Sequence, residues 1–181
     1  MEKEKKKPAV FLDRDGVLAK EKSYVLSVNE LEIFPYTAEC IRQIHKKGYY
    51  AVVITNQSGI ARGLFAEAEL AKMNDRLMKE TGVDAVYYCP HHPEGKVKEY
   101  RKKCSCRKPE MGLLKAAAKD LDIDMSKSWM VGDRAGDILA GEKAGVKTIL
   151  LESGYGLRGL EKEVTPDYIF NDLRDVMEVL I

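Results

Sequence analysis

The sequence predicts an α/β fold, a Rossmann-like parallel sheet with helices on both faces. Three observations predict it. Short apolar runs alternate with longer stretches of helical periodicity, glycines follow two of the helical stretches, and charged or polar residues gather where the short runs end. A chain of 181 residues, 45% hydrophobic, can bury one core and is short for a second full domain.

The strand candidates in chain order are 9–12, 49–55, 85–89, 129–132 and 148–151. Helices are expected over 37–47, 66–80, 110–121 and 136–144. Ile41 with Ile44, and Leu70 with Met73 and Leu77, recur at helical spacing. Gly48 and Gly145 stand where left-handed caps form most easily. Ligands bind beyond the carboxyl ends of the strands in such sheets. That rule selects Asp13 and Asp15, then Thr55 and Asn56, then a cysteine and histidine group after the third strand, then Asp133 and Asp137.

Thirty basic and twenty-nine acidic side chains leave a net charge of +1, so no global field marks a nucleic-acid or membrane binder. The lysine-rich opening over 1–8 is expected to be a frayed, flexible basic tail, without the apolar segment of a secretory signal. No apolar run approaches the roughly 18 residues of a membrane span. One domain over 9–181 is expected, soluble and cytoplasmic.

In AVFLDRDGV an apolar run leads into Asp13, Arg14, Asp15 and Gly16. The two carboxylates converge if the chain turns at Gly16, and their repulsion is relieved by a cation. A hard, oxygen-liganded ion such as Mg2+ suits one or two carboxylates plus a substrate phosphate. WMVGDRAGD repeats the arrangement with Asp133 at a strand end and Asp137 one helical turn beyond. Phosphate also needs donors. VVITNQSGIARG offers Thr55, Asn56, Gln57 and Ser58, and CRKPE offers Arg107 and Lys108 before Pro109, a residue suited to the first turn of a helix. Lysine acts as a point charge and arginine as a bidentate fork, so the pair can hold two substrate groups separately.

The order DRDGV, ITN, RKP, VGDRAGD resembles the four motifs of haloacid dehalogenase phosphatases over nearly the whole chain. The resemblance implies a phosphomonoesterase working through an aspartyl phosphate. Asp13 is then the nucleophile and Asp15 the general acid and base. Mg2+ is held by the carboxylates of Asp13 and Asp133 and the main-chain carbonyl of Asp15, and Thr55 and Lys108 stabilise the phosphoryl group. Asp137 orients its neighbours. An ester leaving group needs a proton, which assigns the chain to the phosphatase branch.

A loop over 89–106 carries Cys89, His91, Cys104 and Cys106. Three thiolates and one imidazole suit structural Zn2+. Disulfides compete for these cysteines, but adjacent CxC pairing strains the bond and nothing in the sequence directs export. Cys40 reads as a small core residue. CPHHPEG followed by CSCRKP resembles the zinc-bearing branch of heptose-bisphosphate and histidinol-phosphate phosphatases. That likeness favours the 7-phosphate of a heptose 1,7-bisphosphate as the group removed, and implies a monomer. It also implies a sugar-phosphate site lined by Glu21, Lys22, Ser23, Tyr24, Asn56, Gln57, Ser58, Arg107 and Arg134. Glu21, Lys22 and Ser23 depart from the acidic, histidine and glycine pattern of that branch, and Arg134 stands in place of lysine. The interval between Asp13 and Thr55 leaves no room for a large cap domain.

GYGLRG at 154–159 fits GxGxxG but lacks a following βαβ unit, so it is read as a loop bordering the cleft. The rival readings are another phosphatase substrate, histidinol phosphate or a DNA 3′-phosphate, and a zinc-containing nucleic-acid module built on the lysines of the tail with Lys96, Lys98, Arg101, Lys102 and Lys103. Neutral charge and the lack of an aromatic stacking platform weigh against the last.

Overall fold

Strand β1 (Ala9–Leu12) is buried over its whole length in the computed structural model, which describes residues 6–181. Successive strand residues face opposite ways. Val10 and Leu12 enter one core cluster, and Ala9 and Phe11 enter another on the far side. In β2 (Tyr50–Asn56), Ala51 and Val53 join the first cluster and Val52 and Ile54 the second. Burial on both faces is the mark of a parallel sheet. With β3 (Ala85–Cys89), β4 (Trp129–Gly132), β5 (Lys147–Leu151) and β6 (Tyr168–Phe170), the strands form one parallel sheet in the order β3-β2-β1-β4-β5-β6.

Helices α1 (Thr37–Lys46) and α2 (Glu67–Thr81) cover the first face through Ile41, Ile44, Leu70, Met73 and Leu77. Helix α3 (Gly112–Asp120) covers the second through Leu113, Leu114 and Ala117, beside Ala140 of α4 (Ala135–Ala144). The chain leaves β1 toward β2 and leaves β4 toward β5, in opposite directions across the sheet. Right-handed crossovers running opposite ways place their helices on opposite faces. A crevice therefore opens beyond the carboxyl ends of β1 and β4, where such folds bind ligands. Among the described residues no separate cap domain stands over it. Residues 14–36 form a tight flap, pinned by main-chain bonds from Ala19 to Arg14 and from Lys20 to Glu32.

The five expected strands are present with bounds shifted by at most one residue, and Gly48 and Gly145 both take positive φ. Three features differ from expectation. Strand β6 is additional. It is a short edge strand, half-exposed, whose three residues carry no alternation to reveal it. The helix expected at 110 begins at Gly112, so Pro109 lies outside its first turn. The Lys108 main chain is engaged by the Asn56 side chain, and the Gly112 N–H donates to the Ser105 carbonyl, so 105–111 is a turn. The tail expected over 1–8 is tied down at its end. Lys7 bridges to Ile123 and lays its ammonium 4.2 Å from the Tyr50 ring centre, and the Pro8 carbonyl accepts from Tyr50 N–H. Residues 1–5 of that tail lie outside the described residues. Cys40 is buried in the first core cluster.

Phe11 is fully buried in the central strand, whereas Ile169 in β6 is 47% exposed. Phe11→Ala is expected to lower the unfolding free energy in urea by about 3–5 kcal/mol. Ile169→Thr is expected to change it by less than ~1 kcal/mol. Equal losses would contradict a core centred on β1.

Candidate active site

The turn after β1 brings Asp13 to the crevice. Gly16 takes φ +86, and a Cβ there would fall 2.3 Å from an Asp133 carboxylate oxygen, so the turn and the close approach both require glycine. Asp13 Oδ1 accepts from the Arg14 N–H at 2.8 Å and pairs with Lys108 Nζ at 3.0 Å. Lys108 Nζ also meets Asp137 Oδ1 at 2.6 Å and donates to the Ile54 carbonyl at 2.8 Å. This lysine is only 5% exposed, and its ammonium bonds are all spent inside the site. Burial alone would lower its pKa, but the carboxylates of Asp13 and Asp137 raise it above the ordinary lysine value.

Asp137 sits in the first turn of α4. Its Oδ2 accepts from the main-chain N–H groups of Asp133 and Arg134, at 3.0 and 3.1 Å. Asp133 is fully buried at the end of β4; its Oδ2 accepts from the Tyr155 N–H at 2.9 Å, and its Oδ1 has no partner among the described residues. Carboxylate oxygens of Asp13, Asp133 and Asp137 all lie within 4.8 Å of one another. Three carboxylates against one ammonium leave two negative charges in a buried space. Burial, with repulsion from Asp137 and Asp15, raises the Asp13 pKa to about 7 against the pull of Lys108. Burial, with Asp13 and Asp137, raises Asp133 to about 8. The unpartnered oxygen and the uncompensated charge fit a hard divalent cation.

Asp15 lines the same cleft but stands outside this cluster. Arg14, with no solvent exposure, donates from Nε to Asp15 Oδ1 and from Nη2 to Oδ2, both at 3.0 Å. Gln57 Nε2 donates to Asp15 Oδ2 at 3.2 Å and to Thr55 Oγ1 at 2.9 Å. Thr55 and Gln57 are thus joined to Asp15 by one network. Asn56 instead braces the opposite wall, donating to the Lys108 carbonyl at 3.1 Å and accepting from the Lys108 N–H at 3.0 Å.

A cleft of about 420 Å³ opens over these groups. Asp13, Asp15, Glu21, Ser23, Tyr24, Asn56, Gln57, Ser58, Arg107, Lys108, Arg134 and Asp137 all line it. Ser23 holds a left-handed backbone, φ 61, at its rim. Lys22, expected on this wall, turns outward; its ammonium meets Glu32 at 3.0 Å and the Glu30 carbonyl at 2.9 Å. Sequence reasoning does not find Arg62, Tyr155 or the buried Arg14. Arg62 and Tyr155 also line the cleft; Arg62 stands beside glycine in ARG, where sequence signals only a turn, and Tyr155 lies in the 154–159 loop expected to border the cleft, without being singled out there. Arg62 Nε and Arg107 Nη1 are buried without hydrogen-bond partners among the described residues, while Arg62 Nη2 lies 3.3 Å from His92 Nε2.

Next to the cleft, Cys89, His91, Cys104 and Cys106 converge with all donor atoms within 4.8 Å. Cys106 Sγ lies 3.0 Å from Cys89 Sγ and 3.4 Å from His91 Nδ1, and the cysteines form no disulfide. His91 thus occupies the fourth corner. His92 is used elsewhere, its Nδ1 accepting from the Glu94 N–H at 3.1 Å. Three sulfurs and one imidazole nitrogen fit a closed tetrahedral site. The Arg107 N–H donates to Cys104 Sγ at 3.3 Å, which ties this cluster to the wall carrying Arg107 and Lys108.

A HAD-hydrolase-like family model matches residues 105–176. A D-glycero-beta-D-manno-heptose-1,7-bisphosphate 7-phosphatase from Haemophilus ducreyi is 43% identical, over 94% of this chain and 97% of its own. The protein of the same name from Escherichia coli K12 is 39% identical, over 96% and 93%. The crystal structure of the D,D-heptose 1,7-bisphosphate phosphatase from B. bronchiseptica, complexed with magnesium and phosphate, superposes with a TM-score of 0.80 at 33% identity, over 94% of this chain and 96% of that one. Similarity of this extent, on a parallel sheet with acidic groups at the ends of β1 and β4, makes the chain a member of the HAD-like hydrolases, in the family of the heptose-1,7-bisphosphate 7-phosphatases.

Proposed function

We propose that the protein removes the 7-phosphate of D-glycero-D-manno-heptose 1,7-bisphosphate through an aspartyl phosphate on Asp13. The observation that carries this reading is one cleft lined by Asp13, Asp137 and Lys108, with the buried Asp133 grouped behind them, and by two arginines with unspent N–H donors. The acidic group suits attack on a phosphate ester. The arginines Arg62 and Arg107 suit a second anionic group on the same substrate.

In this reading an Asp13 carboxylate oxygen attacks phosphorus while Lys108 holds its other oxygen and offsets charge on the transferring group. The bond to the sugar oxygen breaks, and Asp15 delivers a proton to the leaving alkoxide. Asp15 then takes a proton from water, which attacks phosphorus and releases phosphate and free Asp13. Asp13, Asp133 and the Asp15 carbonyl would hold Mg2+, which when bound would supply positive charge against the phosphate oxygens. Thr55 and Gln57 hold Asp15 in register; Ser58 at the cleft wall and Tyr24 at its rim contact the sugar phosphate. Cys89, His91, Cys104 and Cys106 would hold a structural Zn2+, which would fix the segment that ends in Arg107 and Lys108. The reading takes the enzyme to act as a cytoplasmic monomer, as the family resemblance implies.

The deciding assay is phosphate release, with Mg2+ and with chelator, from both anomers of heptose 1,7-bisphosphate, histidinol phosphate and a DNA 3′-phosphate in parallel. Mg2+-dependent preference for a heptose bisphosphate is expected; equal rates on all would reject the substrate. Asp13→Asn is expected to fold normally while losing turnover and phosphoenzyme, and a fully active variant would reject the aspartyl phosphate. Elemental analysis of thiol-reduced protein is expected to find one zinc per chain, and none would reject the cysteine site.

The raised carboxyl pKa values give a further prediction. A carboxyl whose folded pKa exceeds its unfolded value favours folding while protonated and opposes it once charged. Without metal, stability is therefore lost as pH rises from the ordinary 3.8 through about 7 for Asp13 and about 8 for Asp133. The melting temperature of metal-free protein is expected to fall across that window, and Mg2+ to restore most at its alkaline end. A Mg2+ effect independent of pH would count against this account.

A further inference from the structure

Residues 153–155, which lead into the glycine-rich stretch expected to form a loop bordering the cleft, touch the site at four places. The Tyr155 N–H donates to Asp133 Oδ2 at 2.9 Å. A Cβ on Gly154 would fall 2.1 Å from that same oxygen, and one on Gly16 would fall 2.3 Å away, so the carboxylate lies in a slot between two glycines. The Ser153 hydroxyl donates to the Gly16 carbonyl at 2.7 Å and fastens this turn to the one that carries Asp13 and Asp15. The Tyr155 ring lies 3.8 Å from the Arg134 guanidinium carbon, whose ion partner is Glu21 at 3.4 Å. Glu21, Arg134 and Tyr155 all line the cleft.

We propose that the turn 153–155 is a positioning element of the active site: the Tyr155 main chain sets Asp133 for the divalent cation, and the Tyr155 ring sets Arg134 for the anionic substrate. The proposal rests on the phosphatase reading for what the cation and the substrate are. Its physical basis is independent. Asp133 has one oxygen without a partner and one held by Tyr155, so that N–H decides which way the unpaired oxygen faces. Arg134 is a long side chain with many rotamers, and a ring face on one side and a carboxylate on the other leave few of them. One residue thereby couples the position of a metal-binding group to that of a substrate-binding one.

The two halves are separable by substitution. Tyr155 has φ −69, a value proline imposes, so Tyr155→Pro removes the N–H and keeps that φ. Tyr155→Ala keeps the N–H and removes the ring. Mg2+ affinity is measured by calorimetric titration of metal-free protein, which needs no turnover. Tyr155→Pro is expected to bind Mg2+ about 10-fold more weakly than Tyr155→Ala, the scale on which groups that orient metal ligands act. Gly154→Ala, which displaces the same carboxylate, is expected to weaken it similarly and serves if the proline variant does not fold. Equal Mg2+ affinity in the folded variants overturns the main-chain half.

For the ring half, Tyr155→Ala is expected to raise KM for the bisphosphate about 3–10-fold with kcat within about 2-fold, and Tyr155→Phe to restore KM. An unchanged KM, or a fall confined to kcat, overturns it. A protein that binds Mg2+ with the expected dependence yet hydrolyses no bisphosphate sinks the substrate reading and the ring half together, and leaves the main-chain half standing.

Discussion

The buried ammonium of Lys108 is the point on which the site is built. A charge this far from water is costly unless its hydrogen bonds and counter-charges are complete. Here they come from three separate elements: Asp13 after β1, the Ile54 carbonyl within β2, and Asp137 in the first turn of α4. No short segment of chain could supply all three. Removing one partner of such a buried group costs about 3–5 kcal/mol, so the ends of β1, β2 and β4 are held in register by the same interaction that shapes the chemistry.

That constraint explains the elements around it. The lysine must arrive from outside the sheet, and it does so from a turn whose main chain is clamped on one side by Asn56 and anchored on the other by the Arg107 N–H to Cys104. The cysteine cluster thus bears on Lys108 through one intervening residue. A loop is ordinarily the most mobile part of a fold; this one is fastened at both ends and in the middle. The wall that carries Arg107 and Lys108 is thereby ordered by its own contacts, which lowers the cost of ordering it around a ligand.

Much of this is legible in the sequence, for reasons that differ by residue. Asp13, Asp15, Asp133 and Asp137 declare themselves because strand periodicity ends where they begin, and periodicity is a local signal. The cysteine loop declares itself through donor chemistry and spacing. Sequence places Lys22 with the substrate, but polar residues within a site loop point in directions that sequence does not encode. Lys22 faces Glu32, while Asn56 lines the cleft as expected and also braces the Lys108 main chain, a contact sequence does not show. Arg62 and Tyr155 reach the site from turns remote in sequence from the residues they approach. Strand β6 escapes because three half-exposed residues at a sheet edge carry no alternation. Long-range hydrogen bonding is the common element in what sequence leaves hidden at the site.

The two aspartates of the β1 turn show how such contacts divide labour between chemically identical groups. They stand two residues apart and would repel one another if they shared one environment. Instead each has its own cation. Asp13 gives one oxygen to Lys108 in the group that suits a metal; Asp15 gives both oxygens to Arg14, with Gln57 behind. Arg14 is fully buried, and only a carboxylate placed to meet its fork offsets that burial. The arginine between the two aspartates therefore does what neither can do for itself: it offsets the charge of Asp15, whose repulsion still reaches Asp13. In the proposed reaction Asp13 is the nucleophile and Asp15 the proton carrier, roles that need different surroundings, and the residue between them in sequence supplies the difference by pairing with Asp15 while Lys108 pairs with Asp13.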